Sequence, residues 1–477
     1  MSGGRISRDL PEGFDVEADV VIIGAGACGL VAALRARAAS AEVIVLERDA
    51  SPSGSTSMSS GFVPAPATRF QRVIGVEDDT PQRFETDILS KSKGQSVASL
   101  ARLASVSIGP ALEWLTDAHG FEWVVLDDFL YPGHSRHRMH AVSEKTGAAL
   151  EARLLTAVEA AGIPVVTEAH ATTLYSTDGD EIAAVEITRP DGATEVLGCR
   201  ALVLACNGFG GNPALVRQHI PEIGDGLYYG HQGNTGDALI WGESLGARID
   251  HLSGYQGHGS LAHPHGILIS WALMMEGGVQ VNAEGLRFSN EHGGYSEQAV
   301  NVLAQPGGIA WNIHDARLHD FAQGFPDYRD AMTAGAIRVA TDVTELARVT
   351  ALPETALART LSEVAMYHSG AATDPFGRDF TAKPALAAPF HAVKVTGALF
   401  HTQGGLMIDE HARVLHEDGR PFANLFAGGG AACGVSGPDV SGYLSGNGLL
   451  TAIGFGFVAG TSAGTLAAPC SNIENPD

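Results

Sequence analysis

The apolar positions fall into a few short runs whose spacing predicts the elements around them. Val20 to Ile23 is rich in β-branched residues and reads as a short buried strand. Gly24, Gly26 and Gly29 follow, and Leu30 to Ala39 then reads as a helix. A second apolar run, Val43 to Leu46, ends in Glu47. Cys199 to Val216 (CRALVLACNGFGGNPALV) and Ala423 to Ala432 (ANLFAGGGAA) each join an apolar strand to a glycine-rich turn. Ser445 to Gly460 opens a glycine-laced helix, and Thr341 to Tyr367 carries helical periodicity. No internal repeat or low-complexity tract interrupts these runs.

Strand, G-x-G-x-x-G, helix, second strand and terminal acid together make a βαβ dinucleotide fingerprint. The glycines allow a tight turn and close packing, the helix N-terminus takes a pyrophosphate, and the carboxylate takes ribose hydroxyls. Gly24, Gly26, Ala27, Gly29, Glu47 and Arg48 are the candidate binding residues here. Beyond Arg48 the chain is small and hydroxyl-rich, with Ser55, Thr56, Ser57, Ser59 and Gly61 able to lie along a diphosphate and a flavin. The later strand-and-turn segments add Ala205, Asn207 and Gly208, then Gly428 and Gly429. These favour FAD over a nicotinamide dinucleotide.

Composition narrows the class further. A chain of 477 residues is too long for one core and implies two or three domains. Glycine, at 59 residues, exceeds its usual share of about 7%. Thirty Lys and Arg against 54 Asp and Glu give a net charge of −24, which disfavours nucleic acid and anionic lipid as partners. The five cysteines (Cys28, Cys199, Cys206, Cys433, Cys470) show no CxxC pairing, so a reducing, cytoplasmic setting is expected, with no disulfide scaffold and no metal site. His134, His137 and His140 lack trusted ligand spacing and read as a solvated loop. Met1 to Glu17 has no apolar signal core, and no stretch of 18 uninterrupted apolar residues suggests a membrane span.

The motifs resemble those of the fumarate reductase/succinate dehydrogenase flavoprotein superfamily, including flavocytochrome-type fumarate reductases and 3-ketosteroid dehydrogenases. The likeness runs from about Asp19 to Gly460: LACNGF stands for the family's ATGGF, NAEGLRFSNE (Asn282 to Glu291) for NREGKRFVNE, HTQGG (His401 to Gly405) for HTMGG, and NLFAGGG for GLYAAGE. It implies an α/β fold: a discontinuous Rossmann-type FAD-binding domain (18–245 and 395–477) with an inserted α+β capping and catalytic domain (246–394). Residues 1–17 and the tail after Ala468 are expected to be poorly ordered. By the resemblance, Asn447, Gly448, Leu449 and Leu450 surround the flavin pyrimidine edge, where helix amides stabilise reduced flavin. Some members attach FAD through a histidine in the Ser/Gly loop. Ser57, Met58 and Ser59 stand there instead, so dissociable FAD is expected.

The departures from the family pattern bear on the reaction. Where the reductases place a proton-donating arginine, RFSNEHGGYSEQ has Tyr295, which resembles the catalytic tyrosine of 3-ketosteroid Δ1-dehydrogenases. As a base Tyr295 needs its pKa lowered from about 10. Near the C-terminus SGPDVSGYLSGNG lacks the carboxylate-gripping arginine and offers Tyr443, which the same resemblance makes a ketone-oxygen donor beside the Gly446 amide. His401 in HTQGG, and more loosely His258 in YQGHG, match histidines that contact a substrate carboxylate, and Tyr131 is a further candidate at the cleft. The pattern implies a desaturase of a cyclic ketone, either a small oxo-acid such as 4-oxocyclohexanecarboxylate or a 3-ketosteroid. The alternatives are an ene reductase of an unsaturated acid and a non-catalytic flavin carrier. No haem or iron–sulfur motif is present, so an external acceptor (oxygen, a quinone or a protein) is expected.

Overall fold

The computed structural model describes residues 4–224 and 226–468. Backbone proximity divides the chain into two units, Met1–His219 with Gly230–Tyr255 and His401–Asp477, and Ile220–Tyr229 with Gln256–Phe400. The second unit thus starts and ends a few residues later than the 246–394 read from the sequence, and takes in 220–229.

The first unit is built on a nine-stranded sheet. Val16–Ile23 lies at its centre, flanked in parallel by Val43–Leu46 and Thr194–Leu204, with Val20 opposite both Val43 and Ala201. All three strands end in buried aliphatic residues, as parallel strands covered on both faces must. Thr194–Leu204 is long enough to serve two partners. Its first half pairs antiparallel with Ile182–Thr188, and its last three residues run parallel to Pro421–Ala427. This pairing brings the C-terminal segment beside the N-terminal fingerprint.

Two helices cover the fingerprint. Ala27–Ala38 starts earlier than Leu30, because Gly29 lies within the helix and Gly26 is its N-cap. The C-terminal helix Asn447–Ala467 packs against it backbone to backbone. A Cβ on Gly456 would stand 2.5 Å from the Cys28 carbonyl, one on Gly464 would stand 2.7 Å from Ala36 Cα, and one on Gly460 would overlap Ala32. The glycines that lace this helix are contact surfaces between helices. By length and apolarity this helix could cross a membrane, but 56% of its apolar window is buried inside the fold, the environment of a core helix.

The expected disorder of the first residues does not hold from Arg5 onward. Arg5–Ser7 forms an edge strand parallel to His170–Ser176. Asp15 exchanges two bonds with Val196, one at each backbone amide. Polarity misled here, since an edge strand is held by backbone groups that composition does not reveal. The tail beyond Ala468, and Cys470 with it, lie outside the described residues.

The second unit has its own seven-stranded sheet around the long strand Phe390–Thr402, which pairs antiparallel with Ile309–Asp315 and Ile337–Ala340. Val279, Ile313, Leu346, Leu357 and Phe380 belong to its core. The helical periodicity of 341–367 forms two helices, Val343–Thr350 and Glu354–His368. Ala351 at φ 58° ends the first, and Pro353, lacking an N–H, is the N-cap of the second.

Candidate active site

In the first unit the fingerprint turn is shaped by glycine. Gly24 sits at φ 108°, and a Cβ there would meet the Ala205 carbonyl at 2.5 Å. A Cβ on Gly29 would overlap the Gly24 carbonyl. Glu47 accepts from the Ala25 amide at 3.1 Å and the Asp49 amide at 3.0 Å, so both carboxylate oxygens are anchored at the end of the second strand. Thr56 Oγ accepts from the Ala27 amide at 3.0 Å, tying the hydroxyl loop to the helix start.

The rest of that loop is held just as locally. Ser55 Oγ accepts from Asn207 at 2.9 Å and from Asn234 at 3.0 Å. Ser59 Oγ donates to the Thr56 carbonyl at 2.7 Å and accepts from the Gly61 amide at 3.1 Å. Ser57 bonds the side chain of Glu151, a carboxyl that burial raises to about 7. Asn207 is left-handed at φ 65°, and its Oδ1 accepts from the Gly208 amide. Arg48 donates to the Gly233 carbonyl at 2.8 Å. Gly428 and Gly429 lie close to Cys28, whose thiol burial pushes up to about 12, leaving it an inert packing group.

The first turn of the C-terminal helix gathers a second group. Gly446, at φ 85°, is its N-cap. The Gly448 amide points to the Tyr443 hydroxyl at 3.4 Å, and the His401 ring meets the Tyr443 ring edge-on at 5.5 Å. His401 Nδ1 lies 3.0 Å from Gln403 Nε2 and 3.2 Å from the Thr402 carbonyl. Gln403 Oε1 accepts from Ser436 Oγ at 2.6 Å, which turns the amide nitrogen to the histidine. Nδ1 accepts from Gln403 in the tautomer with its proton on Nε2, against Gly448, and donates to the Thr402 carbonyl in the other. Desolvation lowers His401 to about 4, so it is neutral at pH 7. Asn447 donates to the same Ser436 Oγ, while its own Oδ1 is buried without a partner among the described residues.

The Leu450 side chain is fully buried in the core and its amide bonds the Gly446 carbonyl. Asn447, Gly448 and Leu449 occupy the first turn, where amides lack intrahelical acceptors. Tyr131 packs its ring against Phe62 and Phe129. His134 and His140 are not in a solvated loop. Both are buried, held by Ser445 and Thr68 respectively, around an Arg138 that pairs with Asp79 and Asp87.

In the second unit, Tyr295 is the first residue of helix Tyr295–Leu303, after Gly294 at φ 141°. A residue there sits at the positive end of a helix, which favours an anionic oxygen. The Tyr295 ring stacks on His258 at 4.7 Å, and Phe400 stacks on His258 at 5.2 Å. His258 Nδ1 accepts from the Ser260 amide, and burial lowers the ring to about 3, so it too is neutral. The turn carrying Tyr295 is clamped from below. Glu291 takes two bonds from Arg287 and one from Arg378, while Arg287 also pairs with Asp374, all buried. Burial pushes Glu291 up, but the two guanidiniums hold it below the usual carboxylate range.

Sequence reading missed Gln403, Ser436, Asp374 and Arg378. Gln403 left a signal, standing where the family motif has methionine. The others pair across tens of residues and left none.

Glycine-lined βαβ turn, anchored acid and hydroxyl loop define a dinucleotide-binding flavoprotein. The buried Asn447 Oδ1, without a partner among the described residues, is what a bound flavin would satisfy, so the residues fit FAD. A family model described as FAD binding domain matches residues 19–449, and the chain belongs to that family. It is 28% identical to a probable fumarate reductase, Ifc3, of Shewanella frigidimarina over 96% of this chain and 77% of that protein. The structure of a flavocytochrome c3 fumarate reductase in its open conformation superposes with TM-score 0.80 at 26% identity, covering 96% and 80% of the two chains. The fold is also that of the 3-ketosteroid-Δ4-(5α)-dehydrogenase of Rhodococcus jostii RHA1 (TM-score 0.75, 23% identity, 97% and 99% coverage). The protein is an FAD-dependent oxidoreductase acting on carbon–carbon bonds. That sets aside the reading as a passive flavin carrier.

Proposed function

We propose that this enzyme desaturates a cyclic ketone at the bond α,β to its carbonyl, with a small oxo-acid such as 4-oxocyclohexanecarboxylate ahead of a 3-ketosteroid. The observation that carries the reading is the uncharged group at the start of the C-terminal helix, formed by the Tyr443 hydroxyl, the Gly448 amide and a neutral His401. The Gly448 amide donates to the Tyr443 hydroxyl, and a hydroxyl donor polarised in this way suits a neutral ketone oxygen and strengthens as it gains enolate character. FAD, when bound, supplies the acceptor for the β-hydrogen as hydride. Tyr443 holds the oxygen and acidifies the α C–H. Tyr295 takes the α-proton on its phenolic oxygen. His401, with its proton on Nε2, donates to a carboxylate elsewhere on the substrate.

The second reading runs the chemistry in reverse, as an ene reductase of an unsaturated acid, and the likeness to fumarate reductases favours it. Anaerobic mixing with 4-oxocyclohexanecarboxylate, a 3-ketosteroid and succinate separates the two. Bleaching of the oxidised flavin band by a ketone supports the desaturase. If no ketone bleaches it and dithionite-reduced enzyme is instead reoxidised by an unsaturated acid, the reductase reading replaces it.

A further inference from the structure

The second unit holds a histidine cluster that the proposed reaction does not use. His314 lies in the strand Ile309–Asp315, His319 in the helix Ala316–Ala322 and His391 near the start of Phe390–Thr402. His314 and His391 are direct partners across the antiparallel pair. One ring nitrogen from each of the three lies within 4.8 Å of the others. The Tyr328 hydroxyl is 2.7 Å from His314 Nε2 and 2.9 Å from His319 Nδ1. The His319 and His391 rings stack at 4.1 Å.

Two nitrogens here are unexplained by the protein's own bonds. His314 Nδ1 and His391 Nδ1 are buried with no partner among the described residues, on rings 0% and 6% exposed. Natural folds rarely leave such atoms unsatisfied. Burial also holds both rings neutral, His314 far below its ordinary value and His391 down to about 4. A neutral imidazole is the form that ligates metal. His319, half-buried, gives the cluster a way in.

We propose that His314, His319 and His391 form a site for a borderline divalent transition metal, zinc(II) foremost. Three imidazoles and no carboxylate select zinc, copper or nickel over calcium and magnesium, which require oxygen ligands. Around a zinc ion with bonds of 2.0–2.1 Å, nitrogens stand about 3.3 Å apart, so the rings draw inward when the ion binds. Tyr328, whose hydroxyl lies 2.7 Å from His314 Nε2 and 2.9 Å from His319 Nδ1, is a neighbour of the site. The ion would tie two strands of the sheet to the helix Ala316–Ala322.

The test uses the flavin-loaded protein, stripped with a chelator and offered zinc, calcium or magnesium before gel filtration and elemental analysis. The wild type should retain about one zinc per chain, with a rise in melting temperature, and neither calcium nor magnesium. His319→Gln and His391→Asn should each retain at least roughly tenfold less zinc at unchanged flavin content. Zinc absent from the wild type, or retained equally by both variants, overturns the site. If the variants lose flavin or fail to fold, electron paramagnetic resonance of copper(II) on the wild type decides. Splitting from several nitrogens supports the site, and its absence overturns it.

Discussion

The two units hold their chemistry in place by different means. In the first, the determinants are backbone: glycines that no Cβ can replace at Gly24 and Gly29, and amides at the starts of two helices. In the second, they are side chains: the buried Arg287–Glu291–Asp374–Arg378 cluster under Tyr295, and the aromatic stack around His258. A backbone cradle tolerates changes of charge but not of volume. A charge cluster tolerates neither loss of a partner nor neutralisation, because each buried ion depends on the others.

Adding volume to the cradle is the harshest way to test that contrast. Gly29→Val should abolish flavin binding, read as loss of the oxidised flavin absorbance per chain, while Arg48→Ala should keep most of it. Retention of flavin by Gly29→Val would mean that the helix and strand can part, against the packing described. Next in size, Tyr295→Phe should lower the ketone bleaching rate by roughly 10²–10⁴ with flavin content unchanged. Tyr443→Phe should lower it by roughly 10²–10³. Full turnover in either variant removes that residue from its proposed role.

Charge loss in the second unit follows. Glu291→Gln removes the acid partner of Arg378, while Arg287 keeps Asp374, and should cost about 3–5 kcal/mol in denaturant unfolding of that unit. A cost under ~1 kcal/mol would show the cluster to be a surface-like pair in effect. Acid is the mildest probe. His134 and His258 are lowered to about 3 and His140 to about 4, all by desolvation first, so the folded state prefers each neutral. Their contribution is complete above the ordinary histidine value of 6.5 and is lost as pH falls from there toward 4. Stability should decline by on the order of 1 kcal/mol per pH unit per histidine over that window, in both units. A flat denaturation midpoint from pH 7 to 5 would contradict their burial.

This contrast also explains what could be read from sequence. The fingerprint was legible because its parts are local: Val43–Leu46 is the strand read from the apolar run, and the glycine spacing fixes the turn. The glycines of 445–460 were visible, but their use as a face against Ala27–Ala38 was not, since the partner lies at the other end of the chain. Tyr295 and Tyr443 stood out as motif departures, and His401 as a motif match. The clamp beneath Tyr295 was illegible, because Asp374 and Arg378 reach back to Arg287 and Glu291 across more than 80 residues. The ordered start at Arg5–Ser7 and the buried His134 and His140 were misread for one reason. Polar composition predicts exposure, and backbone pairing or a buried guanidinium overrides it.

The helix-on-helix contact through Gly456, Gly460 and Gly464 has a consequence in time as well as space. Its two partners leave the ribosome roughly 400 residues apart, a delay of about 20–80 s at 5–20 residues per second. Until Asn447–Ala467 emerges, the nascent fingerprint helix has a bare face and the cradle has no second helix start. Cofactor loading is therefore a late event that waits for Asn447–Ala467 to emerge, and the bare face of the N-terminal sheet needs shelter from aggregation until then.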